Sequence, residues 1–248
     1  SLEIARQTAK DWNRDILCVE NTVASGSVFR QWHKALKLAK GEWIWIAEAD
    51  DFCEPDFLEN ILNGIKNNPS VIMAFTDSRS VDEDGTPISS SYRPYYSESA
   101  GALLENNSHF TGEEFVRGCL FERNLVLNVS SAIFRREYLL SAITSCQKDL
   151  QTFRVAGDWR VYVELLTQEN AEVIYIAKPL NIHRRHADSA THTLNRRNHI
   201  EEISYMHDLL VNRLALHESH KKRQKYYLSI LENQFGLTSK DTEEKIIL

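Results

Sequence analysis

The 248 residues contain only four cysteines, Cys18, Cys53, Cys119 and Cys146, and no C-x-x-C pair. This excludes a disulfide framework and a thiolate zinc site, and points to free thiols in a reducing compartment. No apolar run approaches the ~20 residues that a membrane helix needs. The first residues lack the charged-then-apolar pattern of a signal peptide. A soluble, cytoplasmic protein without an integral membrane segment is therefore expected. Basic charge is in short supply too: 29 Lys and Arg against 35 Asp and Glu leave a net charge of −6, which argues against nucleic acid as the main partner. There is no glycine-rich phosphate loop and no internal repeat. The remaining composition, 42% hydrophobic and 26% charged, suits one domain with an ample core, or one domain plus an appendage.

The stretch from Glu42 to Asp51, EWIWIAEADD, stands out. Trp43 to Ala47 is continuously apolar and rich in aromatic and branched side chains, which predicts a short strand buried on both faces in the middle of an α/β sheet. Glu48, Asp50 and Asp51 follow within four positions. Clustered charge is costly to bury uncompensated, so these carboxylates belong where the strand emerges. In open α/β sheets that edge is where ligands bind. Hard oxygen ligands there suit Mg²⁺ or Mn²⁺ holding a phosphate-bearing molecule. The alternative is an acidic turn into a helix, with Asp51 or Glu54 as cap and Pro55 in the first turn.

The surrounding pattern predicts a helix over Ile4–Trp12, a strand over Asp15–Val19, and a helix capped by Ser25-Gly26-Ser27. That second helix buries Phe29, Trp32, Leu36 and Ala39 and closes at Gly41. Helix and strand in alternation predict a parallel sheet. Pro55–Lys66 reads as helix, Val71–Thr76 as buried strand and Asp82–Gly85 as a turn. The turn's D-x-D-G spacing lacks the closing glutamate of a calcium loop. Ser89 to His109 is polar, rich in Ser and Tyr, and reads as a long loop. Glu113–Gly118 starts a short helix. Asn128–Phe134 reads as a strand running into a helix at Arg135, and Val173–Ala177 as another strand. A helix carries Val161 and Leu165 after Gly157-Asp158-Trp159. Amphipathic helices beyond about residue 199 form a C-terminal appendage.

The run AKGEWIWIAEADD from Ala39 to Asp51, with Pro55 and Phe57-Leu58 after it, resembles the family 2 glycosyltransferases of the GT-A fold. The resemblance covers roughly residues 1 to 195. It implies an α/β GT-A-like fold with a mixed, mainly parallel sheet flanked by helices, and a domain over 1–199 followed by a helical appendage over 200–248. It also implies that the family's first βαβ unit is missing, because Ser1 to Arg6 resembles the helix after that unit. A raw sheet edge would then lie at or near Asp15–Val19, covered by the protein's own tail or by self-association.

Glycosyl transfer needs the charge of a leaving diphosphate neutralised and a carboxylate that takes the acceptor's proton. By the resemblance, Glu48-Ala49-Asp50 is the D-x-D motif. Glu48, Asp50, Asp51, Arg184 and Arg185 would bind the donor, Asp50 and His186 the Mn²⁺ or Mg²⁺ ion. Asp158 would be the general base, with Gly157 where the family commonly has Glu; the alternative is that Asp158 caps the helix from Trp159. His183 and His186, three apart on an extended chain, should not enter one site together. The usual R-N-x-G pattern is absent from the second helix, and the Q-x-x-R-W motif of processive synthases is absent from the chain. The implied activity is inverting, metal-dependent and non-processive transfer from a nucleotide sugar to a saccharide or lipid-linked acceptor, in surface polysaccharide or glycoconjugate assembly. Two other readings stand beside it: a non-catalytic GT-A-like scaffold or binding module of a larger protein, and a different Mg²⁺-dependent phosphate enzyme using Asp50 and Asp51.

Overall fold

A computed structural model describes residues 2–23, 25–66, 68–186 and 196–237. Helices α1 (Leu2–Asp11) and α2 (Val28–Leu38) precede strands β1 (Trp43–Trp45) and β2 (Phe52–Cys53) and helix α3 (Phe57–Ile65). Strands β3 (Val71–Val81) and β4 (Pro87–Ser89) lead to α4 (Arg93–Ala100), β5 (Ser108–Thr111) and α5 (Gly112–Cys119). Next come β6 (Ala132–Arg135), α6 (Arg136–Ser145), α7 (Gln147–Thr152) and α8 (Gly157–Leu166). Strand β7 (Glu172–Arg184) and helices α9 (Arg196–Leu214) and α10 (Glu218–Phe235) follow.

The seven strands form one sheet in the order β1-β6-β3-β7-β2, with β4 on β3 and β5 on β7. The sheet is mixed, but not mainly parallel as expected. Among the described strands only β3 and β7 pair in parallel; β1–β6, β2–β7, β3–β4, β3–β6 and β5–β7 are antiparallel. The strand expected at Asp15–Val19 accounts for part of the difference. Those residues take no strand pairing, and Ile16, Leu17 and Val19 lie exposed. A lone strand gains no ladder hydrogen bonds and no apolar cover, so an apolar run by itself does not make one.

For the same reason β1 is not the buried central strand its composition predicts. It is three residues long, half-buried, and pairs only with β6. Its alternation is nonetheless used: Ile44 and Ile46 pack on one core, Trp43 and Trp45 on the other. Asp15–Val19 forms no strand and so no sheet edge; among the described strands β1 lies at one end of the order. Trp45 Nε1 donates to the Ser130 carbonyl at 2.8 Å. The Arg135 guanidinium lies 5.0 Å from the Trp43 ring.

The sheet separates two apolar layers. On one face α3 places Phe57, Ile61 and Ile65 against Ala74, Ile133, Ile174 and Ile176. The other face carries the larger core, where α2, α4, α5, α6 and α8 meet Met73, Phe75, Phe134, Val173 and Tyr175. Ile203, Met206, Leu210 and Leu214 of α9 and Leu231 of α10 are buried in that same core. No described helix is long and apolar enough to cross a membrane, and the cysteines are free thiols.

Several local expectations need correction. Helix α2 ends at Leu38 with Ala39 as C-cap in extended conformation, so Gly41 is not a left-handed cap. A Cβ at Gly41 would meet the Trp43 carbonyl oxygen at 3.0 Å, so close approach is its use. Ser27 is the N-cap of α2 by position but makes no side-chain cap bond. Helix α3 is capped by neither Asp51 nor Glu54; its N-cap position is Asp56, and Glu54 instead takes a hydrogen bond from Arg79 at 2.6 Å. The expected long loop from Ser89 to His109 holds α4, a 3-10 turn and β5. Tyr92, Tyr96, Ala100 and Leu104 recur every four residues, and all four are buried. Strand β3 runs on past Thr76 because its polar residues are satisfied. Buried Asp77 accepts from the Ser78 and Tyr92 backbone N–H groups and from the Ser91 hydroxyl, and Asn181 Nδ2 donates to Ser78 Oγ.

Candidate active site

The acidic stretch after β1 is fastened between the start of β6 and the end of β7. The carboxylate of Asp51 accepts from Asn128 Nδ2 at 2.8 Å, Ser130 Oγ at 2.7 Å and the Arg184 backbone N–H at 3.0 Å. Ser130 Oγ in turn accepts from the Glu48 backbone N–H at 3.0 Å. The short pairing of Phe52 and Cys53 with Ile182 and Asn181 brings this turn against β7. Asp51 is therefore committed to joining three segments, leaving Asp50 and Glu48 as the acidic side chains of the turn that can face a ligand.

Asp50 is exposed, and His186 Nε2 sits 3.1 Å from its Oδ2. His183 goes elsewhere, its Nδ1 2.9 Å from the Tyr92 hydroxyl, and burial pushes it below the usual histidine range. The two histidines have different hydrogen-bond partners, although His183 still lies within the electrostatic reach of Asp50, Asp51 and His186. Among the described residues no group of three or more His, Cys, Asp or Glu side chains is gathered to hold a metal. Asp50 offers the single carboxylate that a Mg²⁺-type ion can take, with water and phosphate oxygens filling the remainder, while the His186 imidazole suits Mn²⁺, a transition ion, better than Mg²⁺.

Arg184 has its guanidinium on the carbonyls of Asp50 at 3.1 Å and Glu83 at 2.6 Å, and lies over the Phe52 ring. It acts on the backbone of the acidic turn, which leaves Arg185, exposed, as the freer cation. Asp82 closes the adjoining turn by accepting from the N–H groups of Asp84 and Thr86.

Asp158 stands in the first turn of α8, one residue inside the helix, whose N-cap is Ala156. It is therefore not the cap of a helix starting at Trp159. Its Oδ1 accepts the Trp159 N–H at 2.7 Å and its Oδ2 accepts from Asn124 Nδ2 at 3.0 Å. Burial raises its carboxyl to about 7 and the charge of Glu202 adds to that, against the lowering by those hydrogen bonds. Glu48 is also raised to about 7, first by burial of its carboxyl and then by the like charges of Asp51, Asp50 and Asp158. Burial and three neighbouring carboxylates all push the same way. The Tyr162 hydroxyl, on the same helix, is buried beside Asp158 and Glu48 without a hydrogen-bond partner.

Gly157, the departure from the family's usual Glu, has a packing cause. A Cβ there would come 2.2 Å from Phe29 Cε2 and 2.3 Å from Cζ. The ring of Phe29 occupies the place a larger residue would need. Gly157→Ala is expected to destabilise the protein by roughly 1–3 kcal/mol, read as a lower melting temperature and relieved by adding Phe29→Leu. An unchanged melting temperature in the single variant would mean the ring yields freely.

The sequence reading missed Asn124, Asn128 and Tyr162. Asn128 had a usable signal, since Asn followed two residues later by Ser at a strand entrance marks a local turn; Asn124 and Tyr162 had none. A cleft of about 830 Å³ lies at the other end of the sheet, between Ser70, Thr111, Glu172 and Arg213. It is remote from these carboxylates and is not this site.

Residues 1–123 match the sequence model of Glycosyl transferase family 2. Chondroitin synthase of Escherichia coli is 36% identical over 64 residues, 25% of this chain and 9% of that protein. Among solved structures, S. aureus TarS residues 1–349 in complex with UDP-GlcNAc superposes with a TM-score of 0.57 at 15% identity, covering 93% of this chain and 60% of that one. The longer S. aureus TarS chain gives 0.56 at 15% identity, over 100% of this chain and 38% of that one. The GT-A fold is thereby shown, and this chain spans less than two thirds of these relatives' lengths.

Proposed function

We propose that this family 2 glycosyltransferase domain of GT-A fold transfers a sugar from a nucleotide-sugar donor to an acceptor hydroxyl, with inversion and with a divalent ion. One observation carries the reading. Glu48 of the acidic turn feels the charge of Asp158, far away in sequence, as one cause of its raised carboxyl, while His186 stands on Asp50 in the same turn. This supports reading the turn as the donor side and Asp158 as the acceptor side of one site. UDP-sugars are the first donors to test, given the UDP-GlcNAc carried by TarS, and a polysaccharide or lipid-linked acceptor is consistent with the chondroitin synthase match.

In the reaction, the Asp158 carboxylate accepts the proton of the acceptor hydroxyl as its oxygen attacks the anomeric carbon from the face opposite the diphosphate. The bond from that carbon to the phosphate oxygen breaks and inversion follows. Asp50 and His186 are the residues that would hold Mn²⁺ or Mg²⁺, which when bound supplies positive charge against the leaving diphosphate. Arg184 and Asp51 keep the turn in place, and Arg185 adds charge on the donor side. Of the 200–248 segment, the described part, carrying α9 and α10, is read as a helical appendage that packs into the core of the 1–199 domain.

Calorimetry with UDP tests the metal half of the proposal. UDP is expected to bind at least about tenfold tighter with Mn²⁺ than with chelator, about 1.4 kcal/mol, and Asp50→Ala should erase that difference. Equal affinity with ion, with chelator and in the variant would overturn the assignment. A second reading, a non-catalytic scaffold, draws on the unpaired Asp15–Val19 segment and on Phe29 filling the place beside Gly157. It requires that Asp158→Asn change no reaction rate.

A further inference from the structure

We propose that Asn124 is the positioning residue for Asp158, and that the C-terminal helices hold the pair in register. The inference rests on reading Asp158 as the base.

Asn124 lies on the loop between α5 and β6 and uses both ends of its amide. Its Oδ1 accepts the Val126 N–H at 3.0 Å, which fixes the side-chain rotamer, and its Nδ2 then donates to Asp158 Oδ2 at 3.0 Å. A carboxylate held through one oxygen by a fixed donor has its other lone pairs aimed, and the donor favours its charged form.

Both partners are anchored by the helices that the activity itself does not use. On the Asn124 side, His207 Nε2 of α9 donates to the Glu122 carbonyl at 2.7 Å, and Gln224 Nε2 of α10 donates to the Phe121 carbonyl at 2.7 Å. Leu125 and Val126 are buried beneath. On the Asp158 side, Glu202 of α9, itself nearly buried, accepts three successive backbone N–H groups, those of Arg154, Val155 and Ala156. These form the turn that leads into α8. Trp159 Nε1 closes the arrangement by donating to the Leu120 carbonyl at 3.0 Å. One carboxylate and two side-chain donors from α9 and α10 thus set both the loop with Asn124 and the helix entrance with Asp158. The groups facing Asp158 are the Asn124 amide, the Asp158 and Trp159 N–H groups, the Tyr162 hydroxyl, and the carboxylates of Glu202 and Glu48.

The two bonds of Asn124 can be tested apart. Asn124→Asp keeps an oxygen for Val126 but faces Asp158 with a second carboxylate. Asn124→Ser keeps a short acceptor for Val126 and removes the donor without adding charge. The readout is the carboxyl-¹³C titration of the full chain labelled at Asp, with the Asp158 resonance identified by its loss in Asp158→Asn. The midpoint is expected to rise in both variants, by about 1–3 pH units in Asn124→Asp and by less in Asn124→Ser. The acid limb of UDP release from UDP-GlcNAc should move upward with it. Midpoints equal to the parent's in both variants would overturn the proposal and leave Asn124 with its turn alone. If Asp158→Asn leaves UDP release intact, the base reading fails. If it abolishes release while the Asn124 variants titrate as the parent does, only this inference fails.

Discussion

Asp158→Asn is expected to lower sugar transfer by about 10²–10⁴-fold, the usual worth of a general base, while donor affinity stays near the parent's. Asparagine keeps the size and one acceptor oxygen for the Trp159 N–H, so the entrance to α8 stays formed, while its Nδ2 faces the Asn124 Nδ2 donor where an oxygen accepted before. What disappears is the ability to take a proton. The same substitution has a signature in stability. A free aspartate ionises near 3.9, and in the fold Asp158 is raised to about 7. Between those values the folded state holds the extra proton, so stability falls as pH rises from about 4 to about 7 and then levels off. Asparagine carries no such cost. The melting temperature of Asp158→Asn relative to the parent should therefore rise from pH 4 to pH 8, on top of a pH-independent loss of the Asn124 bond. Thermal melts at the two pH values measure this. A gap independent of pH would contradict the raised carboxyl, and undiminished turnover per folded molecule would remove Asp158 from catalysis.

Asp51→Ala is expected to cost roughly 3 kcal/mol in stability and to abolish ion-dependent UDP binding as well. Hydrogen bonds to a charged acceptor contribute about 1.5–3 kcal/mol each, less what water recovers once donors are freed. Asp51 takes three such bonds, from β7, from Ser130 and from Asn128. Its neighbour supplies the control. The Asp50 side chain is exposed and, among the described residues, meets only His186, so Asp50→Ala should change stability by no more than about 0.5 kcal/mol. Denaturant unfolding of the two variants separates a residue that builds the turn from one that faces the ligand. Equal stabilities would mean that Asp51 does not fasten the turn.

Much of the helix content was legible, because burial of one face leaves a spacing in the chain. Phe29, Trp32 and Leu36 announce α2, and Ile203, Met206 and Leu210 announce α9. The same spacing was present but overlooked in Tyr92, Tyr96, Ala100 and Leu104, where a polar composition hid a regular face. Strands were less evenly legible. Val71–Thr76 and Val173–Ala177 lie within β3 and β7. Asp15–Val19 has the composition of a strand and forms none, since a strand exists only with a neighbour. Which neighbour a strand finds, and in which direction, is decided by segments distant in sequence, and the balance of parallel and antiparallel pairing went wrong on that account.

The sequence by itself determined that a short apolar strand runs out into Glu48, Asp50 and Asp51, and that this stretch resembles the family 2 glycosyltransferases. Both follow from residues adjacent in the chain, where covalent order fixes what stands next to what. Only the tertiary structure decided how those carboxylates divide their work. Asp51 turned inward because Asn128, Ser130 and the Arg184 N–H arrive there from β6 and β7, and Arg184 was drawn to backbone carbonyls that only folding brings near. Asp158 became a buried carboxyl beside Asn124, with Glu202 beneath its turn, through contacts that span tens of residues. A carboxylate's protonation and direction are set by the dipoles and charges around it in space, and these are assembled only when the sheet and its helices close.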